Sequence, residues 1–316
     1  MWTWMPYVCL GLGIAIGLNK LPERFLKALE SLINLALIVL LLTVGMNLGG
    51  SKSILSSLGS IGLNCLIISF CAMACSVICT VIVEKLLLPL DEISKKTLLT
   101  GIDRDREITP EKGSISPLIW IMPLTIIIGT IAGYLVSYDH MESLLDYLLT
   151  GALVLIYICA GITMGANRSV FRYLKAVGFK VIFLSCAILF GSIIGGSISG
   201  FLLKLPPHVS VISASGMSFY SLTGAFMIQM YGAEMGTYGF IVNMIREFST
   251  FLLLPLLARI SKGSPIAVGG AAAMDTALVP ITRAIGSELG LVTLITGTIL
   301  TITIPLLLPL LHSILI

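Results

Sequence analysis

The chain has 316 residues, of which 57% are hydrophobic and 11% are charged, and its formal net charge is +3. Soluble domains usually carry about 25% charged residues, so the low charge and the mean hydropathy of +1.04 exclude soluble enzymes, nucleic-acid binders and disordered chains. A multi-spanning helical membrane protein remains, because one span needs roughly 20 apolar residues and the alternating ten-residue segments of a β-barrel are absent.

Eight long apolar segments follow one another along the chain. They cover residues 3–18, 31–49, 61–83, 117–137, 147–166, 181–203, 238–258 and 289–314. Two weaker segments, 209–232 and 265–286, are rich in Gly, Ala, Ser and Thr. The sequence therefore predicts an all-α integral membrane protein with about eight transmembrane helices plus two re-entrant or broken segments.

The positive charges of the loops indicate the orientation. The alternate loops hold only Lys52 and Lys204, whereas the loops after the first, third and fifth spans hold Lys20, Arg24, Lys27, Lys85, Lys95, Lys96, Arg104, Arg106, Lys112, Arg168, Arg172, Lys175 and Lys180. Because cytoplasmic loops carry the excess of Lys and Arg, we expect these three loops inside and both termini outside. If the two weak segments are re-entrant hairpins, Arg259, Lys262 and Arg283 also lie inside. The alternative is a chain of ten spans in which the two weak segments are broken helices that cross the membrane.

Two internal repeats relate parts of the chain. At an offset of 116, Trp4, Gly13, Gly17, Gly45 and Gly49 match Trp120, Gly129, Gly133, Gly161 and Gly165. At an offset of 54, Gly216, Glu234 and Gly236 match Gly270, Glu288 and Gly290. Each copy of the first repeat holds three spans, and each copy of the second holds one span plus a hairpin that adds no crossing. Because each copy crosses the membrane an odd number of times, the two copies of each pair are predicted to be inverted. Inverted repeats with interrupted helices are typical of secondary transporters.

The repeats divide the chain into four predicted parts. Residues 1–84 form the first three-span repeat, and residues 117–204 form its inverted copy. A cytoplasmic linker at 85–116 joins them. Residues 205–316 hold the two units made of a weak segment plus one span, where the substrate site is expected.

Polar residues inside the apolar segments are the candidates for binding substrate or a coupling ion. Asn243, Arg246 and Glu247 lie in one span, where an ionisable group costs at least ~2.5–3.5 kcal/mol and indicates a functional site. Asn243 and Glu247 share a helical face; an Arg246–Glu247 pair that only locks helices together is the alternative. Asp275 either binds substrate or caps its helix. Asn47, near the end of the second span, either contacts substrate or bonds across helices.

The weak segments supply further candidates. Residues 213–224 and 269–276 occupy matching repeat positions and are predicted to face each other across a midplane cavity, because unwound backbone at that depth is tolerated where it lines a cavity. Their backbone amides suit the α-carboxylate of an amino acid. The side chains expected at this site are Ser215, Tyr220, Ser221 and Thr223.

No catalytic residue, metal site or cofactor is predicted. The three histidines, His140, His208 and His312, lie at the edges of spans, so a zinc site lacks its ligands. Ser215 has no intramembrane histidine to activate it, and no nucleotide-binding motif is present. A secondary transporter is thus favoured over an enzyme, and a cation channel or cation/proton antiporter that uses Glu247 and Asp275 remains the alternative.

Three blocks of the last third of the chain resemble a known family. Residues 214–224 read ASGMSFYSLTG, residues 240–247 read FIVNMIRE, and residues 270–275 read GAAAMD. In this order they resemble the bacterial lysine exporter family LysO, whose patterns read ASG…YSLSG, FFNxxRE and GATSMD. The resemblance implies export of L-lysine, and of its toxic analogue thialysine, across the bacterial cytoplasmic (inner) membrane, with both termini outside.

The resemblance also implies functional residues. The intramembrane carboxylate of the family falls on Glu247, and a second one near the end of the second span is replaced here by Asn47. One acid cannot match both ammonium groups of lysine, so Asp275 is a candidate for the second. The chain is therefore interpreted as an antiporter that exchanges L-lysine for a proton or sodium, with lysine and the cation competing for Glu247. Ornithine and arginine are the alternative substrates.

Overall fold

The computed structural model describes residues 5–19, 22–50, 52–88, 90, 118–135, 142–166 and 179–315. Helices occupy almost all of these ranges, and no strand occurs within them. The predicted all-α fold is therefore confirmed. Most of the predicted linker, from residue 91 onward, and the loop around residue 172 lie outside the described residues.

Twelve α-helices follow one another in the described part of the chain. They are α1 (Met5–Gly17), α2 (Glu23–Gly50), α3 (Lys52–Leu86), α4 (Leu118–Leu135), α5 (Glu142–Ala166), α6 (Val181–Leu203), α7 (Pro207–Ala214), α8 (Tyr220–Tyr231), α9 (Ala233–Ile260), α10 (Gly263–Gly269), α11 (Leu278–Ile285) and α12 (Gly290–Leu315). Short 3-10 turns cover Gly270–Met274 and Ser287–Leu289. The eight predicted spans correspond to α1–α6, α9 and α12, and the weak segments correspond to the short helices between them.

Five helical segments are long and apolar enough to cross a membrane. They are Gly59–Leu86, Ser143–Thr163, Val181–Leu203, Ala233–Ile260 and Ser287–Leu315, and two shorter apolar segments lie at Val8–Gly17 and Ser31–Asn47. Large apolar side chains such as Phe190, Phe201 and Leu252 are exposed on the outside of the bundle. Apolar surface of this extent is suited to lipid and not to water.

Glycines allow the peripheral helices to approach closely. Helix α1 packs on α5, and α2 packs on α4. A Cβ atom on Gly13 would lie 2.8 Å from the Cα of Gly161, and one on Gly129 would lie 3.0 Å from the Cα of Gly45. Small residues at such crossings bring helix backbones together in membranes. The two crossings involve residues that match at the offset of 116.

Helices α3 and α6 form the most extensive pair in the centre of the bundle. They cross where the hydroxyl oxygens of Ser76 and Ser192 lie 2.9 Å apart. A Cβ atom on Gly191 would lie 2.5 Å from the Cα of Ser76, so the backbones are nearly in contact. The two serines are again 116 residues apart. The inverted repeat stays a prediction.

Helices α7 and α8 form a hairpin. The rings of His208, at the start of α7, and Tyr231, at the end of α8, stack with their centroids 4.8 Å apart. Laid end to end, the 8 residues of α7 and the 12 residues of α8 would span about 30 Å. Both ends of this segment therefore lie at the same end of the bundle, which we call the His312 end because the Tyr231 hydroxyl lies 2.6 Å from His312 Nδ1.

Helices α10 and α11 form a second hairpin from the opposite end. Helix α9 starts beside the end of α8 and carries the chain across the bundle, where the Gly263 N–H donates to the Glu84 carboxylate at 3.2 Å. Helix α12 has 26 residues, about 39 Å, and finishes at the His312 end. Helix α12 must therefore start at the Glu84 end. Because α10 also starts there, the hairpin of α10 and α11 enters and leaves the bundle at that end.

Candidate substrate site at the hairpin tips

The tips of the two hairpins meet in the middle of the bundle. The Ala271 N–H donates to the Met217 carbonyl at 2.8 Å, and these two residues match at the offset of 54. Segments 213–224 and 269–276 thus touch at this point, where each unwound backbone satisfies a polar group of the other. Met217 and Gly270 have positive φ angles of 44° and 56°. Such strain is costly outside glycine and clusters at functional sites.

Asn243, in the middle of α9, holds the first hairpin. Its amide nitrogen donates to the Ser213 carbonyl at the end of α7 and to the Gly239 carbonyl, both at 2.8 Å. Its amide oxygen accepts the Ser218 N–H at 2.9 Å. The side chain is fully buried, so these bonds satisfy the polar groups of an unwound backbone that water does not reach. Asn243 therefore fixes the tip.

Arg246, one turn further along α9, holds the second hairpin. Its guanidinium donates to the Ala267 and Val268 carbonyls at 2.7 and 3.1 Å. These carbonyls lie at the end of α10, where helical carbonyls lack intrahelical partners and carry partial negative charge. The other donors reach the hydroxyl oxygens of Ser192 at 2.8 Å and Ser76 at 3.4 Å. The side chain is 1% exposed. Arg246 thus joins α10 to the central crossing of α3 and α6.

Glu247 is buried beside these contacts without an arginine partner. Its carboxylate accepts the Thr276 hydroxyl at 2.9 Å, and its side chain is 7% exposed. No hydrogen bond or ion pair joins it to Arg246 in the described part of the chain. The alternative of an Arg246–Glu247 pair is therefore wrong, although Arg246 does lock helices together. Glu247 is therefore a buried carboxyl group that Arg246 does not neutralise.

Asp275 lies next to Glu247. Its carboxylate accepts the Thr276 N–H at 2.6 Å, so Thr276 contacts both acids. Helix α11 starts after Ala277 without a side-chain cap, which removes the alternative that Asp275 caps that helix. The side chain is exposed, and it lies near Glu247 because Thr276 hydrogen-bonds to both carboxyl groups. Two carboxyl groups therefore share one site.

The start of α8 faces the same region. The Tyr220 ring packs edge-on against Phe240 with centroids 5.3 Å apart, and Ser221 is buried in the first turn. The buried Thr223 hydroxyl donates to the Phe219 carbonyl at 2.8 Å, which occupies it within its own helix. The Ser215 hydroxyl is buried without a hydrogen-bond partner among the described residues.

The structure brings most of the predicted site residues together around the middle of α9. Asn47 is buried near the end of α2, where Met46 and Gly49 pack against α4, and its part in the site stays a prediction. The sequence analysis missed Ser76, Ser192 and Thr276. The first two carry a signal that could have found them, because both serines lie in apolar spans and match at the offset of 116. Thr276 lies in the predicted segment 269–276, but nothing in the sequence distinguishes it within that segment.

Comparisons with known proteins agree in one family. A family model described as "Lysine exporter LysO" matches residues 7–98 and 123–312. The chain is 28% identical over 155 residues to the "Lysine exporter LysO" of Escherichia coli K12, which covers 49% of this chain and 52% of that protein. It is 31% identical over 117 residues to a "Putative lysine exporter" of Haemophilus influenzae, covering 37% of this chain and 60% of that protein. The chain thus spans a little over half the length of these curated relatives. No solved structure matches it.

Proposed function

Because the chain belongs to the lysine exporter LysO family, we propose that it is a secondary transporter that exports L-lysine across the bacterial cytoplasmic membrane in exchange for a cation. The family supports the substrate, and two hairpins that enter from opposite ends support the mechanism, since secondary transporters bind substrate where such interrupted elements meet.

The single observation that carries this proposal is the buried Glu247 carboxylate. An ionised carboxylate inside a membrane protein is costly unless a cation pairs with it. Arg246 does not pair with this carboxylate, because its donors are bound to Ala267, Val268 and the two serines. An ammonium group of lysine supplies the missing partner when substrate is bound, and a cation from outside supplies it after lysine leaves. Lysine and the cation thus pair with the same carboxylate in turn, and this competition is the minimum requirement for exchange.

The rest of the lysine molecule finds matching groups nearby. Asp275 lies near Glu247, because Thr276 hydrogen-bonds to both carboxyl groups, and we propose that it meets the second ammonium group. The α-carboxylate fits the first turn of α8, because the N–H groups at a helix N-terminus lack intrahelical partners and favour anions. Tyr220 and Ser221 are the side chains of that turn. We propose that thialysine, which carries the same three charged groups, binds in the same way.

Uptake into inverted membrane vesicles tests this function. The vesicles come from a bacterium without its own lysine exporter that expresses this chain, and labelled L-lysine is offered under an imposed pH gradient and then under a sodium gradient. We expect uptake that unlabelled thialysine inhibits and glutamate does not, with ornithine and arginine measured as competitors. Uptake equal to that of vesicles without the chain, at confirmed expression, would contradict the proposal.

A further inference from the structure

A cluster of rings joins the base of the first hairpin to α12 at the His312 end. His208 lies at the start of the hairpin and Tyr231 at its end, and their rings stack with centroids 4.8 Å apart. The Tyr231 hydroxyl lies 2.6 Å from Nδ1 of His312, near the end of α12. The His312 ring also meets the buried Phe226 ring edge-on, with centroids 6.2 Å apart. We call His208, Tyr231 and His312 the ring latch.

The ring latch belongs to one end of the bundle only. At the offset of 54, its three residues match Lys262, Ile285 and Ala258, and none of these has an aromatic ring. The base of the second hairpin is held differently, by the Gly263 N–H that donates to Glu84 at 3.2 Å. Histidine is the side chain that ordinarily changes its charge between pH 5 and 8. The first hairpin therefore has pH-sensitive groups at its base, and the matching positions of the second hairpin do not.

Protonation of both histidines opposes the closed arrangement of the latch. The ring centroids of His208 and His312 lie 4.8 and 5.4 Å from that of Tyr231, and both histidines are half-buried. A neutral imidazole has one nitrogen that accepts a hydrogen bond, whereas a protonated one only donates. With two protonated rings, two positive charges lie on either side of Tyr231, and its hydroxyl no longer has an acceptor at Nδ1 of His312. Separation of the rings relieves both effects.

Charged groups of the neighbouring helices lie outside this contact. Helices α5, α6 and α9 pack on the hairpin, and the predicted topology puts Asp146, Lys204 and Glu234 at this end of them. All three are exposed, so water and salt screen their effect on the latch. Helix α1, which packs on α12, has no charged residue between Met5 and Gly17. The two histidines are thus the groups of the contact itself that change charge near neutral pH.

We propose that the ring latch is a gate that acid releases: with neutral histidines it holds the base of the first hairpin on α12, as in this structure, and protonation of both histidines frees it. The loop charges predict that the His312 end faces outside, so the gate responds to the external medium. This inference goes beyond the proposed function and meets it in one respect, because an exporter releases its substrate on that side.

Labelling of a cysteine behind the latch tests the proposal without lysine. In a cysteine-free background, Phe226→Cys places a thiol beside the His312 ring, and Ser313→Cys places one at an exposed position of the same end. Intact cells are treated with a membrane-impermeant maleimide, and the labelling rate of Phe226→Cys is divided by that of Ser313→Cys to remove the pH dependence of the reagent. We expect this ratio to rise about tenfold from pH 7.5 to pH 5.5, as the protonated share of an ordinary histidine does. A constant ratio would overturn the proposal, and so would a Ser313→Cys protein that is labelled only after the cells are opened.

Glutamine variants of the two histidines give a second measurement. His208→Gln together with His312→Gln, combined with each reporter cysteine, keeps polar side chains that cannot be protonated. We expect the labelling ratio of this protein to be the same at both pH values, whereas the control Lys204→Gln, at an exposed residue of the same end, keeps the tenfold rise. An undiminished rise in the double glutamine variant would overturn the role of the histidines. Neither measurement needs transport, so a chain that failed to export lysine would contradict the proposed function and leave the latch standing.

Discussion

At the scale of single residues, Asp275 distinguishes a site for a dibasic amino acid from a site for any monovalent cation. Asp275→Asn keeps an oxygen that accepts the Thr276 N–H and removes the ionisable group. We expect the apparent KM for lysine to rise about tenfold or more, because a hydrogen bond to a charged group contributes about 1.5–3 kcal/mol. Initial rates over a range of lysine concentrations measure this.

The matched control for Asp275 is Asp146→Asn, which changes an exposed aspartate of α5 far along the chain from the hairpins. It is expected to leave the KM unchanged. A normal KM in Asp275→Asn would remove Asp275 from the substrate site and leave Glu247 as the one acid that binds lysine.

The sequence predicted which residues matter better than it predicted their partners. Asn243, Arg246 and Glu247 stand out because polar groups are rare in an apolar span. Their separation along one helix gave no information on what lies opposite. The partners of Arg246 are a helix end 21 residues away and a serine 170 residues away, and only the packing of four helices brings them together. The interaction of Thr276 with Glu247 likewise depends on how the second hairpin folds.

At the scale of the elements, the contact between the two tips depends on Gly270. Its φ angle is 56°, and an added Cβ would meet the Met217 carbonyl oxygen and lie 3.0 Å from its carbon. We expect Gly270→Ala to destabilise the tip by about 1–3 kcal/mol and to abolish lysine transport. The control is Gly62→Ala on α3, where nothing lies within 4 Å of the added atom. Transport and detergent-solubilised thermal stability of both variants are compared; equal behaviour would contradict the close contact.

The hairpin formed by α7 and α8 can be tested directly. In a cysteine-free background, His208→Cys together with Tyr231→Cys is expected to form an intramolecular cross-link with a short bifunctional maleimide, because the two rings stack at 4.8 Å. A broken helix that crossed the membrane would hold these positions about 30 Å apart. Absence of the cross-link, with both cysteines shown to react singly, would favour the ten-span alternative.

The sequence predicted the two hairpins as elements, but it did not predict the contact between their tips. Their small and polar composition distinguishes them from lipid-facing helices, and the placement of Arg259, Lys262 and Arg283 favoured re-entry over crossing. The hydrogen bond between Ala271 and Met217 was not predictable, because a cavity and a direct contact need the same small residues at the same repeat positions.

At the scale of the whole molecule, the loop charges predict the orientation in the membrane. We expect Arg104→Cys to be labelled by a membrane-impermeant maleimide only after the cells are opened, and Lys204→Cys to be labelled in intact cells. The excess of Lys and Arg in the loops after the first, third and fifth spans is the reason. Labelling of position 104 in intact cells would reverse the orientation, and would exchange the inside and outside ends of both hairpins.

The number and order of the helices followed from hydropathy, because a membrane requires each span to be long, helical and apolar. The helix ends moved by several residues: α9 begins at Ala233 instead of 238, and α2 begins at Glu23 instead of 31. Polar first turns extend these helices beyond their apolar parts, and hydropathy does not detect them. The packing of α1 on α5 and of α2 on α4 uses glycines that the repeat had already marked.

The Glu247→Gln variant tests the central claim most directly. Glutamine has nearly the same shape and retains an oxygen for the Thr276 hydroxyl, but it cannot alternate between a lysine ammonium group and another cation. Inverted vesicles with equal amounts of wild-type, Glu247→Gln and control Glu234→Gln protein are given labelled L-lysine under the same pH gradient. We predict wild-type uptake with Glu234→Gln and uptake at the background level with Glu247→Gln. Uptake by Glu247→Gln at the wild-type rate would show that the buried carboxylate only packs between helices, and would contradict the exchange mechanism.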